Sequence, residues 1–230
     1  PRRVLACGVR WGKTRSAGME GLAAAMEPKP RGSHGWVVAP TYDLAEKVFR
    51  EIAGIATGKR RDGIPRGGYK PGSMPPRIVT LAGRVSEIQA KSGESPVSLL
   101  GEGLDWLVVD EAARLKPMVW ESHLSQRLID RRGWALLIST PRGKGWFYDA
   151  WRRGQPESED REYESWNAPS WSNPHLSREL IEGQRKRIPE RVFRQEYAGE
   201  FLEGAGQVFR YVREAATGAW EEPREGATYY

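Results

Sequence analysis

A lysine and a threonine in a glycine-bearing turn, set between a short apolar strand and an alanine-rich helix, constrain this chain more than any other feature. The stretch is Cys7-Gly8-Val9-Arg10-Trp11-Gly12-Lys13-Thr14, with apolar residues 4–6 before it and a helical pattern over residues 13–26 after it. It has the form of a phosphate-binding loop. The usual pattern places a glycine six residues before the lysine, where this chain has Cys7, so the match is to the second half, Gly-Lys-Thr, with Gly8 supplying flexibility one place later. The physics needs little more. Gly12 lets the backbone approach phosphates, and the helix start turns free N–H groups and a positive dipole end toward them. Lys13 reaches the β/γ oxygens and the Thr14 hydroxyl is a Mg²⁺ ligand. The expected nucleotide-binding set is therefore Gly8, Val9, Arg10, Trp11, Gly12, Lys13, Thr14 and Arg15.

A second stretch fits the first. Leu104-Asp105-Trp106-Leu107-Val108-Val109 reads as a buried parallel strand and delivers Asp110-Glu111 at its C-terminal edge, where open α/β sheets place ligands. Asp110 is expected to hold Mg²⁺, mostly through water, and Glu111 to polarise the water that attacks the γ-phosphate. The same pair also suits a helix start, an N-cap followed by a first-turn acid. Its company with a phosphate loop favours chemistry.

The 230 residues suffice for one sizeable α/β domain with a small appendage, and the formal net charge is +6. The basic residues cluster, as at Lys59-Arg60-Arg61, Arg131-Arg132, Arg152-Arg153 and Arg185-Lys186-Arg187. Such clusters often serve only as solvated faces, but the surplus fits a polyanion. The single cysteine excludes an internal disulfide and points to a reducing compartment. No apolar run has the length of a membrane span and no secretory signal opens the chain. A soluble intracellular protein is expected.

Taken in order, residues 35–39 read as a second strand. Asp43 with Glu46 reads as a capping box for a helix whose Leu44, Val48, Phe49, Ile52 and Ile55 share a face. Residues 57–76, rich in Gly, Pro and basic side chains, read as an exposed loop. Residues 77–81 and 85–90 form a hairpin, and residues 91–103 are too polar and glycine-rich for core. An apolar strand at 134–138 ends in Ser139-Thr140-Pro141, a hydroxyl pair placed to sense the γ-phosphate, or else a plain turn. An aromatic helix at 146–151, a strand at 162–168, helices opened by Ser177 and Pro189, and a last strand at Phe201-Leu202 follow. His34, His123 and His175 lack metal-ligand spacing and read as surface or loop residues. Residues 210–230 read as a linker.

Together these stretches carry a family resemblance. Arg10-Trp11-Gly12-Lys13-Thr14, Ala39-Pro40-Thr41-Tyr42, Val108-Val109-Asp110-Glu111-Ala112-Ala113 and Ser139-Thr140-Pro141-Arg142-Gly143-Lys144 come first. Ser172-Asn173-Pro174-His175-Leu176 and the run from Pro189 through Gln195-Glu196-Tyr197 to Phe201 then follow in order. The chain resembles the large subunit of a tailed-phage terminase from its first strand to about Phe209. The resemblance implies an α/β P-loop NTPase fold of the additional-strand, catalytic-glutamate type, a mostly parallel sheet flanked by helices. In it the Ser139-Thr140 strand lies between the phosphate-loop strand and the acidic strand. It implies an ATPase domain over residues 1–209, with 160–209 as a small helical lid or linker, an adenine-binding segment missing upstream, and residues 210–230 leading toward an absent nuclease domain of RNase H type.

It further implies ATP and Mg²⁺ as cofactors, with Thr14 and Asp110 as metal ligands and Glu111, Arg10 and Lys13 as catalytic residues. Ser139, Thr140 and Pro141 would couple hydrolysis to movement. Implied partners are double-stranded DNA, a portal protein, a terminase small subunit and the chain's own nuclease domain. The assembly would be a homo-oligomeric ring on the procapsid, monomeric in isolation, away from membranes in the host cytoplasm. The chain departs from the family at two arginine positions, which hold Val9 and Leu100. That leaves Arg10 as the nearest guanidinium along the loop, either a finger on the γ-phosphate or a scaffold residue packed on Trp11 and paired with Asp110 or Glu111. Arg142 and Lys144 are further candidates. A helicase-like translocase, or a non-hydrolysing DNA-binding or assembly module, are the alternative readings.

Overall fold

The computed structural model of the chain describes residues 1–57, 77–81 and 84–203. In chain order the main elements are strand β1 (Arg2–Cys7), helix α1 (Lys13–Met26), β2 (Ser33–Ala39), α2 (Tyr42–Thr57), β3 (Arg77–Leu81), β4 (Arg84–Ser92), β5 (Trp106–Val109), β6 (Trp134–Ser139), α3 (Trp146–Arg153), β7 (Tyr163–Ala168), α4 (Arg178–Arg185) and α5 (Glu190–Glu196). Among the described residues seven strands form one sheet in the order β3-β4-β2-β5-β6-β1-β7. All neighbours are parallel except the β3–β4 hairpin. Parallel strands send their C-terminal ends to one edge, so the loops after β1, β5, β6 and β7 meet there. Strand β6 lies between β5 and β1, where the resemblance puts it.

Strand residues alternate between two faces, and both faces here are apolar. On β5, Trp106 and Val108 join Val37, Leu136 and Ile138 against α1 and α2, whose Ala17, Leu22, Val48, Phe49 and Ile52 complete that layer. Leu107 and Val109 join Val4, Val38 and Leu137 on the opposite face, covered by Val119, Trp120, Leu124 and Phe147. Each such side chain, fully buried, contributes roughly 1.5–3 kcal/mol. Trp106 lies across Gly35, where a Cβ would sit 1.9 Å from the indole, and its N–H reaches Ser33 Oγ at 3.1 Å. Replacing Gly35 by any other residue would therefore force Trp106 out of the core.

The structure corrects several expectations. Helix α2 starts at Tyr42, so the cap falls on Thr41, whose hydroxyl accepts the Leu44 N–H at 3.4 Å, while Glu46 pairs with Arg50 at 2.9 Å; the Asp43/Glu46 box does not form. The polar segment 91–103 does enter the core, because a single 3₁₀ turn, Pro96–Leu99, buries Leu99 completely. Phe201-Leu202 is not a strand; Phe201 packs its ring on Tyr148, Trp151 and Phe147 at centroid distances of 5.0, 5.1 and 6.0 Å. His34 sits on β2 with its side chain nearly buried, 3.1 Å from Glu102. The unit expected at 160–209 divides, since β7 is hydrogen-bonded along β1 in the main sheet, and among the described residues a short 3₁₀ turn, α4 and α5 follow it. The basic loop 58–76 and the linker 210–230 lie outside the described residues. No described helix is long and apolar enough to cross a membrane.

Candidate active site

The phosphate-loop backbone is held from several sides. At its start Cys7 is fully buried in β1, and burial raises its thiol to about 11, so the residue in the usual glycine place is a core residue. Gly8 is where a glycine is required, because a Cβ there would meet Tyr197 O at 2.3 Å and Ser170 Oγ at 2.4 Å. The Gly8 N–H reaches Ala168 O at 2.9 Å and the Val9 N–H reaches Glu196 O at 2.7 Å. Arg10 adopts φ 60°, a left-handed conformation uncommon for a residue with a Cβ, and Gly12 closes the turn at φ 111°. Among the described residues no side chain caps α1 at Gly12, so the first-turn N–H groups of α1 lack a side-chain capping partner.

Lys13 is almost fully buried beneath the loop. Its ammonium donates to Cys7 O at 3.0 Å, Gly8 O at 2.8 Å and Thr140 Oγ1 at 3.1 Å, which uses all three of its protons. Burial pulls its pKa below the ordinary lysine value, against the raising effect of neighbours that include Glu111, Asp110 and Glu196. The Thr140 contact joins the loop after β6 to the loop after β1.

Asp110 follows β5 and is 5% exposed. Thr14 Oγ1 donates to its Oδ2 at 3.3 Å and the Glu111 N–H to its Oδ1 at 2.9 Å. Burial first, and the like charge of Glu111 second, push its carboxyl up to about 6. Glu111 takes φ 50°, ψ 40°. Such strain in a non-glycine residue costs about 1–3 kcal/mol and survives where a site requires it. Its Oε2 lies 3.2 Å from Arg114 Nε. Arg10, by contrast, is exposed, and among the described residues it has no ion pair with Asp110 or Glu111, which removes the scaffold pairing considered from the sequence.

A hollow of about 260 Å³ opens beside these groups, lined by Glu111, Arg114, Thr140, Pro141, Arg142, Gln195 and Glu196. A larger hollow of about 520 Å³ lies along α3 between Tyr148, Arg152 and Glu157, and none of the phosphate-loop residues line it. The sheet topology thus brings Gly8 to Arg15, Asp110, Glu111, Ser139, Thr140 and Pro141 to one edge. Ser139 is fully buried, with its hydroxyl on Thr140 O at 2.9 Å, so Thr140 is the member of the pair that meets Lys13. Lys144 turns away to Glu203. Sequence reasoning gave no role to Arg114, Ser170, Asn173, Gln195 or Glu196. The signal lay in the runs 172–176 and 189–201, which carried the resemblance without an assigned chemistry.

Compared with known proteins, residues 4–215 match the family model described as terminase large subunit, T4likevirus-type, N-terminal. The terminase large subunit of Thermus phage G20c is 34% identical over 236 residues, covering 90% of this chain and 47% of that protein. The chain thus spans about half the length of the curated relatives it matches. The solved large terminase ATPase domain of Thermus phage P74-26 superposes with a TM-score of 0.72 at 31% identity, covering 87% of this chain and 88% of that one. A large terminase from a thermophilic bacteriophage, solved in complex with ADP, shares the fold with a TM-score of 0.70 at 14% identity, over 87% of this chain and 48% of that one.

Proposed function

The chain belongs to the terminase large subunits, by their N-terminal domain, and from that membership we propose that it is the Mg²⁺-dependent ATP-hydrolysing part of a motor that drives double-stranded DNA into a procapsid. The observation that carries the reading is the convergence of Lys13, Thr14, Asp110, Glu111 and Thr140 at one sheet edge, beneath the uncapped start of α1. The relative solved as an ATPase domain supports it.

Each residue then has a task. The N–H groups of α1 and its loop receive the β-phosphate, and Lys13 turns from its carbonyl partners toward the β/γ oxygens. Thr14 Oγ1 and Asp110 Oδ2, already 3.3 Å apart, are the oxygen donors a hard cation takes, so these two residues fit Mg²⁺. When bound, Mg²⁺ neutralises charge on the phosphates. Glu111, facing the hollow with Thr140 and Gln195, orients the attacking water. Arg10, or Arg142 in that same hollow, supplies the guanidinium for charge on the γ-phosphoryl group. Ser139, Thr140 and Pro141 pass the state of Lys13 onward.

The domain would act in the host cytoplasm as one subunit of a ring on the portal, with the small subunit and the chain's own nuclease domain as partners. DNA cleavage is assigned to that nuclease domain and not to residues 1–209. Phosphate release tests the core of this reading. Lys13→Ala should abolish turnover, Glu111→Gln should retain ATP binding and lose hydrolysis, and Arg10→Ala should bind ATP normally while turnover falls by about a thousandfold if Arg10 is the finger. Unchanged turnover in the first two variants would sink the assignment; unchanged turnover in the third would move the finger to Arg142.

A further inference from the structure

We propose that Ser170 and Asn173 are positioning residues of the phosphate loop, holding the carbonyls of Val9 and Arg10 outward so that the loop's N–H groups face the phosphates. The inference rests on the nucleotide-binding reading above. A trans peptide is planar, so a carbonyl and the N–H that follows it point in opposite directions. Whatever anchors the Val9 carbonyl therefore aims the Arg10 N–H, and whatever anchors the Arg10 carbonyl aims the N–H of Trp11.

Both anchors come from the segment that follows β7, far away in sequence. The Ser170 hydroxyl donates to Val9 O at 2.6 Å and the Asn173 amide donates to Arg10 O at 3.0 Å. With Lys13 on the carbonyls of Cys7 and Gly8, every carbonyl from Cys7 to Arg10 has a side-chain donor. The Trp11 N–H is left with only a long contact of 3.4 Å to Gly8 O.

The two anchors are themselves fixed. Ser170 is fully buried, and its N–H reaches Tyr197 O at 2.7 Å. Asn173 accepts the His175 N–H on Oδ1 at 2.9 Å, which settles the orientation of its amide and turns Nδ2 to the loop. The absence of a side chain at Gly8 is what lets Ser170 come this close. Asn173 in turn restrains the left-handed Arg10, which a free loop would not favour. None of this geometry faces the hollow beside Glu111, so the two residues act through the loop and do not touch the reacting atoms.

Two variants of the full chain test the proposal. Asn173→Asp keeps the acceptor for the His175 N–H and replaces the donor to Arg10 O with a second acceptor; Ser170→Ala removes the hydroxyl alone. Calorimetric affinity for Mg·ADP and Mg·ATP, turnover at saturating ATP, and melting temperature without nucleotide are measured for each. The expected result is affinity for both nucleotides weakened about tenfold, the cost of losing one well-placed hydrogen bond, with turnover at saturation within about threefold and melting lowered by no more than a few degrees. Unmoved affinities in both variants overturn the proposal, as does a loss of affinity, turnover and melting temperature in proportion, which marks a fold contact only. A wild-type chain that binds neither nucleotide overturns the functional reading itself, whereas a binding wild type with unmoved variants overturns this inference alone.

Discussion

Strand β5 has a buried aspartate just before it and another just after it, each 5% exposed, and their surroundings differ. Asp105 accepts from Lys29 at 3.1 Å, from Arg131 at 2.9 Å and from the His34 N–H at 2.9 Å. Asp110 has a threonine hydroxyl, its neighbour's N–H and, among the described residues, no cation within ion-pair distance; burial and then Glu111 raise the pKa of its carboxyl, and Lys13, beyond ion-pair distance, lowers it by less. Burying a carboxylate costs several kcal/mol unless partners compensate it. At Asp105 the protein compensates in full, tying the start of β5 to the loops at its own end of the sheet. At Asp110 no cation is paired with the carboxyl among the described residues, and under the proposed function bound Mg²⁺ supplies the compensation. A buried acid without a paired cation at the C-terminal edge of a parallel sheet is a candidate site, whereas one saturated by cations at the other edge is a joint.

Asp110→Asn should break the pair most severely. Turnover is expected to fall by about a thousandfold, since under the proposed function the carboxylate that holds Mg²⁺ becomes a neutral amide. The nucleotide-free chain should nonetheless become more stable, on the order of 2–3 kcal/mol, because the carboxyl raised from 3.8 to about 6 no longer resists burial. Phosphate release and urea unfolding read the two effects. A variant that loses stability and activity together would make Asp110 a structural acid like its counterpart.

Asp105→Asn should do the reverse. Lys29 and Arg131 lose their partner, but their side chains are 29% exposed, so the expected loss is about 2–3 kcal/mol, toward the lower end for a broken buried pair. Turnover per folded molecule at saturating ATP should stay within about twofold. A large drop in turnover with unchanged unfolding would show that the far edge of the sheet takes part in the chemistry.

The contrast between these residues also shows what was legible beforehand. Local patterns are written locally: the phosphate loop, the apolar strands and Asp110-Glu111 could be read because a turn, a run of apolar residues and a strand end are each set by neighbours in sequence. Leu99 could not, because one apolar side chain in a polar segment becomes core only through the strands it meets. Phe201 failed as a strand for a similar reason, its ring being claimed by α3. The clasp of Ser170 and Asn173 on Val9 and Arg10 joins residues 161 and 163 positions apart, and no periodicity encodes such a contact. The pairing of Asp105 with Lys29 and Arg131 was missed in the same way, since each alone reads as a solvated charge.

The smallest effect expected, at most about 1.4 kcal/mol per pH unit, is a dependence on pH. A carboxyl whose folded pKa lies above its unfolded one contributes stability that is fully present below the unfolded value and is lost as pH rises through the folded value. For Asp110 this window runs from 3.8 to about 6. Without nucleotide and Mg²⁺, the wild-type chain should therefore lose stability relative to Asp110→Asn as pH rises through that window, and the difference should level off above it. Acids that do not interact with Asp110 titrate alike in both chains and cancel in the difference, which leaves Asp110 and its coupling to Glu111. Added Mg²⁺ should shrink the difference at pH 7, because under the proposed function the cation binds the ionised carboxylate and supplies it a paired counter-charge. The same subtraction made with Asp105→Asn removes a carboxylate that already has its cations, so Mg²⁺ should leave that difference unmoved. Equal responses of the two differences to Mg²⁺ would mean that the ends of β5 are electrostatically alike, and the separation of joint from site would fall.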